Sequence, residues 1–255
     1  MEVIVQDDPQ AISKQAARSV GQLLRKKPQA VLGLATGATM IPFYRELVRM
    51  HCQEGLDFSR AVTFNLDEYV GLSPENPSSF HRFMWDHLFS QVNIQPQSVH
   101  IPDGQAEDLA QACSSYEEEI RRQGGIDLQF LGIGCNGHIG FNEPYSPLRS
   151  RTRAQTLSLQ TVQINQRHFG TDREVPRRVL TMGIGTILES RRCLLLACGE
   201  SKALAVAAAV EGPLTPMLPA SALQLHPRTR FIIDRSAASK LTGTRYRSYA
   251  QRAQS

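Results

Sequence analysis

Two residues that could move protons stand five positions apart in a glycine-rich run: His138 and Glu143 in Leu131-Gly132-Ile133-Gly134-Cys135-Asn136-Gly137-His138-Ile139-Gly140-Phe141-Asn142-Glu143-Pro144. Histidine is the natural proton shuttle near neutral pH, and a neighbouring carboxylate would fix its tautomer and raise its basicity. The run also spells GxGxxG at Gly132, Gly134 and Gly137. A dinucleotide site would need that pattern to open a helix and meet an acid about twenty positions later. Neither condition is met: the continuation to Pro144 is not helix-like, and no acid occurs between Glu143 and Asp172. Zinc binding is also disfavoured, because HxxxxE is not a ligand spacing and no cysteine is placed to help.

Other runs carry chemistry of other kinds. Phe64-Asn65-Leu66-Asp67-Glu68-Tyr69 sets two carboxylates side by side, and either could abstract a carbon-bound proton, although such a pair more often caps a helix or meets solvent. Leu34-Ala35-Thr36-Gly37-Ala38-Thr39 reads as a phosphate cradle: Gly37 admits an anion to the backbone, Thr36 and Thr39 donate hydroxyls, and a helix start follows near Met40. An ordinary tight turn capped by Thr39 explains the same residues equally well, and the GK[ST] ending of a Walker A loop is missing. Arg167 and Lys202 are isolated cations, and single basic residues of this kind are more often simply solvated. Lys202 near a helix start runs against the dipole preference, which points to a compensating anion.

These groups need elements to position them. Apolar runs at Val3-Ile4-Val5, 30–35, 61–66, 128–133, 193–198 and 231–233 alternate with helical patterns over 9–26, 78–92, 107–122 and 201–210. That rhythm predicts a single α/β domain over 1–255, with a doubly wound, mostly parallel, Rossmann-like sheet and helices on both faces. Ligands in such folds sit beyond the carboxyl ends of the strands, where all of these runs fall. Residues 240–255 are expected to form a flexible tail.

Composition narrows the classes. A net charge of +4 from 28 basic and 24 acidic residues, spread along the chain, gives no nucleic-acid-binding stripe and suits a small anionic substrate. The basic residues that thicken towards the C-terminus read as a solvated tail. Five cysteines without a CxxC pair fit reduced thiols in the cytoplasm. Met1-Glu2-Val3-Ile4-Val5 lacks the basic flank and long apolar stretch of an export signal, and Ala203–Val210 is too short to span a bilayer.

Taken together, TGAT, FNLDEYVGL, GHIGFNEP, SRTR and ESKALAVAAAVEG resemble the glucosamine-6-phosphate deaminase family over nearly the whole chain. The resemblance implies conversion of glucosamine 6-phosphate and water to fructose 6-phosphate and ammonia, in amino-sugar catabolism, without cofactor or metal. It implies Asp67 as the enolisation base and His138 as the ring-opening group, with Glu143 and Asn136 orienting the imidazole. Thr36, Gly37, Thr39, Arg167 and Lys202 match phosphate-holding positions, Arg167 on a segment, about 160–180, that resembles a mobile closing lid.

Two departures stand out. Asn136 occupies a position where many members carry aspartate; an amide accepts a hydrogen bond but supplies no charge. Gln155 replaces lysine in the SRTRxK pattern of allosterically activated members, with Pro147 altered nearby. Hyperbolic kinetics and a monomer or small homo-oligomer are therefore expected rather than a regulated hexamer. The alternatives are a sugar-phosphate-binding regulator built on an inactive enzyme, and a related lactonase or phosphosugar isomerase. Cys135 is expected to be a buried, inert thiol.

Overall fold

In the computed structural model, which describes residues 1–169 and 175–243, the chain runs β1 (Glu2–Gln6), α1 (Pro9–Lys26), β2 (Val31–Leu34), α2 (Ile41–Glu54), β3 (Val62–Asn65), β4 (Asp67–Tyr69), α3 (Phe80–His87), β5 (Val99–His100), α4 (Leu109–Arg122), β6 (Leu128–Leu131), β7 (Arg153–Thr156), α5 (Leu159–Phe169), β8 (Arg178–Thr181), α6 (Ile184–Leu188), β9 (Cys193–Ala197), α7 (Ala203–Glu211) and β10 (Thr229–Asp234). The elements begin and end on local chemistry. Asp8 caps α1 by accepting from Ala11 N, with Pro9 in the first turn, and Asp108 caps α4 by accepting from Ala110 N and Gln111 N. Gly55, in the left-handed region at φ 65°, ends α2.

Seven strands form one parallel sheet in the order β1-β10-β9-β6-β2-β3-β5. Fully buried β2 and β9 read as unbroken apolar runs because both faces are covered, and β6 does so apart from Gln129, whose amide nitrogen donates to Phe130 O. Phe43 of α2 packs at a tilt against Phe130, ring centroids 4.5 Å apart, while Tyr116 of α4 meets Phe64 edge-on at 5.5 Å. Phe64 and Phe130 face opposite ways, since Phe64 and Gln129 are both registered with Gly33 and Phe130 follows Gln129. The expected doubly wound architecture, with helices on both faces, is therefore present. Chain order reverses between β2 and β6, the switch point at which such sheets bind ligands.

Two features depart from the expected pattern. The helix expected over 78–92 is shorter, because Leu88 leaves helical geometry and a 3-10 turn over Phe89–Gln91 follows α3. The apolar run at 61–66 also does not stop at a loop. After Leu66 the chain enters a separate antiparallel sheet, β4-β8-β7, in which Asp67 pairs with Thr181 and Arg153 pairs with Thr181 from the other side. These short strands have too little apolar periodicity to be read from sequence. A satellite core of Tyr69, Phe141, Leu157, Phe169, Val175 and Val179 lies beneath them and seats α5. Of the expected lid, 170–174 fall outside the described residues, as do 244–255 of the expected tail. No helix among the described residues is long and apolar enough to cross a membrane.

Candidate active site

The sequence motifs converge at the carboxyl ends of β2, β3, β6 and β9. Two of those ends share one construction. Gly37 (φ 110°, ψ 166°) and Gly199 (φ 87°, ψ 156°) each turn the chain out of a strand into a 3-10 turn, Ala38–Met40 or Glu200–Lys202, that leads straight into α2 or α7. A side chain at either glycine would force that backbone into a region L-residues avoid. Neither helix start has a side-chain cap, so its N–H groups are left for water or an anion. Thr36, Thr39 and Lys202 are partly exposed beside these turns. Lys202 Nζ lies 3.7 Å from Cys135 Sγ. Cys135 is exposed, which corrects the expectation of a buried thiol: it stands at the tip of the loop after β6, beside the ammonium. Arg167 lies on α5, and its side chain is outside the described residues.

The paired carboxylates at 67 and 68 have separate fates, because successive residues of β4 point to opposite faces. Glu68 is buried and structural, accepting from Tyr69 N (2.8 Å), Phe80 N (3.0 Å) and His81 N (2.8 Å), so that it anchors the start of α3. Asp67 is 6% exposed and has no hydrogen-bond partner among the described residues. Burial, with the Glu68 charge adding to it, pushes its carboxyl up to about 8. A buried carboxylate without a partner is costly to keep for stability alone, and it is the form a general base takes.

His138 Nδ1 lies 2.7 Å from Asn136 Oδ1, which also accepts the His138 backbone N–H at 3.2 Å. An oxygen that accepts an amide N–H faces the ring as an acceptor too, so Nδ1 carries the proton and the Nε2 lone pair is free. Asn136 is thus the ring's hydrogen-bond partner. The Glu143 charge acts in the expected direction, raising the imidazole's affinity for protons, but burial first and the Lys202 charge second outweigh it and push His138 down to about 4. Gly134 is required here for space, since a Cβ would fall 2.2 Å from His138 Cε1.

None of Glu143's hydrogen bonds reaches His138. They come from Ser158 N (3.2 Å), Ser158 Oγ (3.2 Å) and Thr161 Oγ1, at the start of α5. The small sheet holds this loop from below. Thr181 Oγ1 accepts from Phe141 N at 3.1 Å, Asn142 Nδ2 donates to Met182 O at 2.8 Å, and Arg153 Nη1 donates to Asn142 Oδ1 at 2.9 Å. Arg153 is held in turn through Thr152, whose N–H and hydroxyl both donate to buried Glu117. Glu68 was legible as a carboxylate beside Asp67 but not as the anchor of α3, and Thr181, Ser158 and Thr161 were not legible at all. Each acts through a partner more than ten residues away, a relation that no local motif encodes. Among the described residues no cluster of three or more His, Cys, Asp and Glu side chains could hold a metal ion.

The profile of a family described as glucosamine-6-phosphate isomerases/6-phosphogluconolactonase matches residues 7–232. The chain is 48% identical to a glucosamine-6-phosphate deaminase of Thermoanaerobacter pseudethanolicus over 239 residues, covering 94% of each. It is 49% identical to one of Hahella chejuensis over 251 residues, covering 98% of this chain and 96% of that protein. Among solved structures, a monomeric glucosamine-6-phosphate deaminase superposes with TM-score 0.92 at 47% identity, over 94% of this chain and 100% of the other. A 6-phosphogluconolactonase from Thermotoga maritima shares the fold at TM-score 0.73 and 21% identity, over 92% and 99% of the two chains.

Proposed function

Because the chain belongs to the family of glucosamine-6-phosphate isomerases and 6-phosphogluconolactonases, we propose that it is a glucosamine-6-phosphate deaminase, converting glucosamine 6-phosphate and water to fructose 6-phosphate and ammonia. The observation that carries this reading is Asp67, a buried, unpartnered carboxylate at the crevice, in a chain close to half identical to deaminases along nearly its whole length.

His138 Nε2 takes the proton of the anomeric hydroxyl and returns it to the ring oxygen, opening the pyranose. Asp67 then removes the C2 proton and delivers it to C1. The electron pair of the C2–H bond ends in the new C1–H bond, so C2 is oxidised as C1 is reduced and no external redox agent enters. The resulting C2 imine takes up water and loses ammonia, which makes the overall change a hydrolysis. Every step is a proton transfer or an addition of water to a carbonyl-like carbon, so neither cofactor nor metal is required by the chemistry. Thr36, Gly37, Thr39, Lys202 and Arg167 hold the phosphate, with residues 160–180 as the segment that closes over it.

Ammonia and fructose 6-phosphate released in equal amounts from glucosamine 6-phosphate, without added metal or nucleotide, is the expected result. Absence of both products overturns the reading. Lys202→Ala should raise KM by about 10- to 100-fold, with kcat changed far less, because a charge-assisted hydrogen bond to the phosphate is lost from substrate and transition state alike.

The protein is further proposed to work as a monomer or small oligomer in the cytoplasm. The similarity to a monomeric deaminase and the five free thiols support that reading. Gln155 leaves position 155 without the cation of the activated pattern, and its amide nitrogen donates instead to Thr156 O at 3.2 Å. Saturation curves should stay hyperbolic, and N-acetylglucosamine 6-phosphate should not raise substrate affinity. A several-fold rise would overturn this.

A further inference from the structure

Glu143 stands where two demands meet. Its field reaches His138, yet every hydrogen bond its carboxylate accepts comes from the start of α5, from Ser158 just before the helix and Thr161 in its first turn. That helix starts on a compact network. Ser158 Oγ accepts from Thr161 N at 3.2 Å as an N-cap, and it lies 3.1 Å from Thr161 Oγ1 and 3.2 Å from Glu143 Oε1. Thr161 Oγ1 donates to the same Glu143 oxygen, while Ser158 N–H donates to the other. The carboxylate thus serves as an external cap on the positive end of α5, and both of its oxygens are occupied there. The helix is fixed independently by packing: Phe169 meets Tyr69 edge-on at 5.1 Å, and Asn165 Nδ2 donates to the Tyr69 hydroxyl at 3.1 Å.

On the other side, His138 uses Nδ1 on Asn136 and keeps Nε2 free. When Nε2 takes a proton during ring opening, the imidazolium needs an acceptor, and Glu143 is the carboxylate whose field already reaches it. The charged groups facing His138 are Lys202 at the start of α7 and Glu143 in its own loop; Asn136 is neutral, and Leu218, packed against Gly137, is apolar.

We propose that Thr161 and Ser158 are positioning residues: they hold the Glu143 carboxylate on the N-terminus of α5 and out of hydrogen-bond contact with His138, so the seating of α5 sets how much of that charge supports the imidazole. Arg167 lies on the same helix. The residue proposed to grip the phosphate and the residues that anchor Glu143 thereby belong to one helix and its N-cap. The catalytic meaning of this arrangement rests on the deaminase reading, but its physical content does not, and it is tested on the free protein.

The experiment is an NMR titration of the imidazole of His138, assigned by comparison with His138→Gln. Thr161→Val removes the hydroxyl without changing the shape of the side chain. It frees Glu143 towards the ring and should raise the His138 midpoint by about one unit, the low end of what a carboxylate in contact produces. Thr161→Ser should restore the original midpoint, and Ser158→Ala should move it in the same direction as Thr161→Val. In a Glu143→Gln background, Thr161→Val should leave it unmoved. An unchanged or lowered midpoint in both Thr161→Val and Ser158→Ala overturns the proposal, as does a rise that persists without the Glu143 carboxylate. Failure to release ammonia would sink the deaminase reading while leaving these titrations to stand or fall separately.

Discussion

Asp67→Asn should lower kcat by at least about 10³-fold while the phosphate grip survives, because the substitution removes the only role that requires an anion at this position. Steady-state kinetics and calorimetric binding of glucosamine 6-phosphate together check it: activity is lost and Kd stays within a few-fold of the original. Lost binding would make Asp67 a structural residue instead.

The same carboxyl makes a pH-dependent prediction whose sign follows from its surroundings. Burial pushes Asp67 from 3.8 to about 8, so the folded protein holds this proton more tightly than the unfolded chain does. The stability associated with it is complete below about pH 4 and is lost as pH rises through about 8. Asparagine carries no such linkage. The difference in Tm between Asp67→Asn and the parent should therefore grow in favour of the variant as pH is raised from 5 to 8.5, while activity moves the opposite way. Since only the ionised form accepts a proton, kcat/KM should climb with pH through about 8. A parent protein that gains stability over the variant with rising pH would show that the anion is held by the fold.

His138→Gln should lower kcat by about 10²- to 10³-fold through a different step. Glutamine keeps a polar side chain near Asn136 but cannot shuttle a proton, so turnover falls back on uncatalysed ring opening. Asp67 remains intact, and the small open-chain fraction should still exchange its C2 hydrogen with solvent. Deuterium incorporation at C2 followed by NMR, set against ammonia release, separates the two variants: Asp67→Asn loses both even on open-chain molecules, whereas in His138→Gln exchange and ammonia release fall together and keep the parent's ratio, because both wait on ring opening. Turnover near the parent rate in His138→Gln would remove ring opening from its duties. The neutral imidazole of the resting state suits this role, because burial and Lys202 hold its affinity for protons low until a ring hydroxyl is presented.

What was legible in the sequence was local. Unbroken apolar runs between helical patterns can be satisfied only by a parallel sheet covered on both faces, and the polar residues after each run then fall on one edge of it. Glycine and hydroxyl residues after β2, the cation after β9 and His138 after β6 were readable for that reason, while Asn136 as the imidazole's neighbour entered only through the family resemblance.

Tertiary structure decided the rest. Asp67 and Glu68 are equivalent as letters. Only the passage of the chain into a second, antiparallel sheet turns one of them onto the start of α3 and leaves the other buried without a partner. Glu143 looked like the partner of His138 because the two lie five residues apart, yet its oxygens go to Ser158 and Thr161, brought over it by the seating of α5 on Tyr69. The physical reason is the same in both cases. A strand or turn fixes where its own residues point within a few ångströms, whereas the charge state and hydrogen-bond partners of a buried group depend on every element packed around it, and those are set by contacts between residues far apart in the chain.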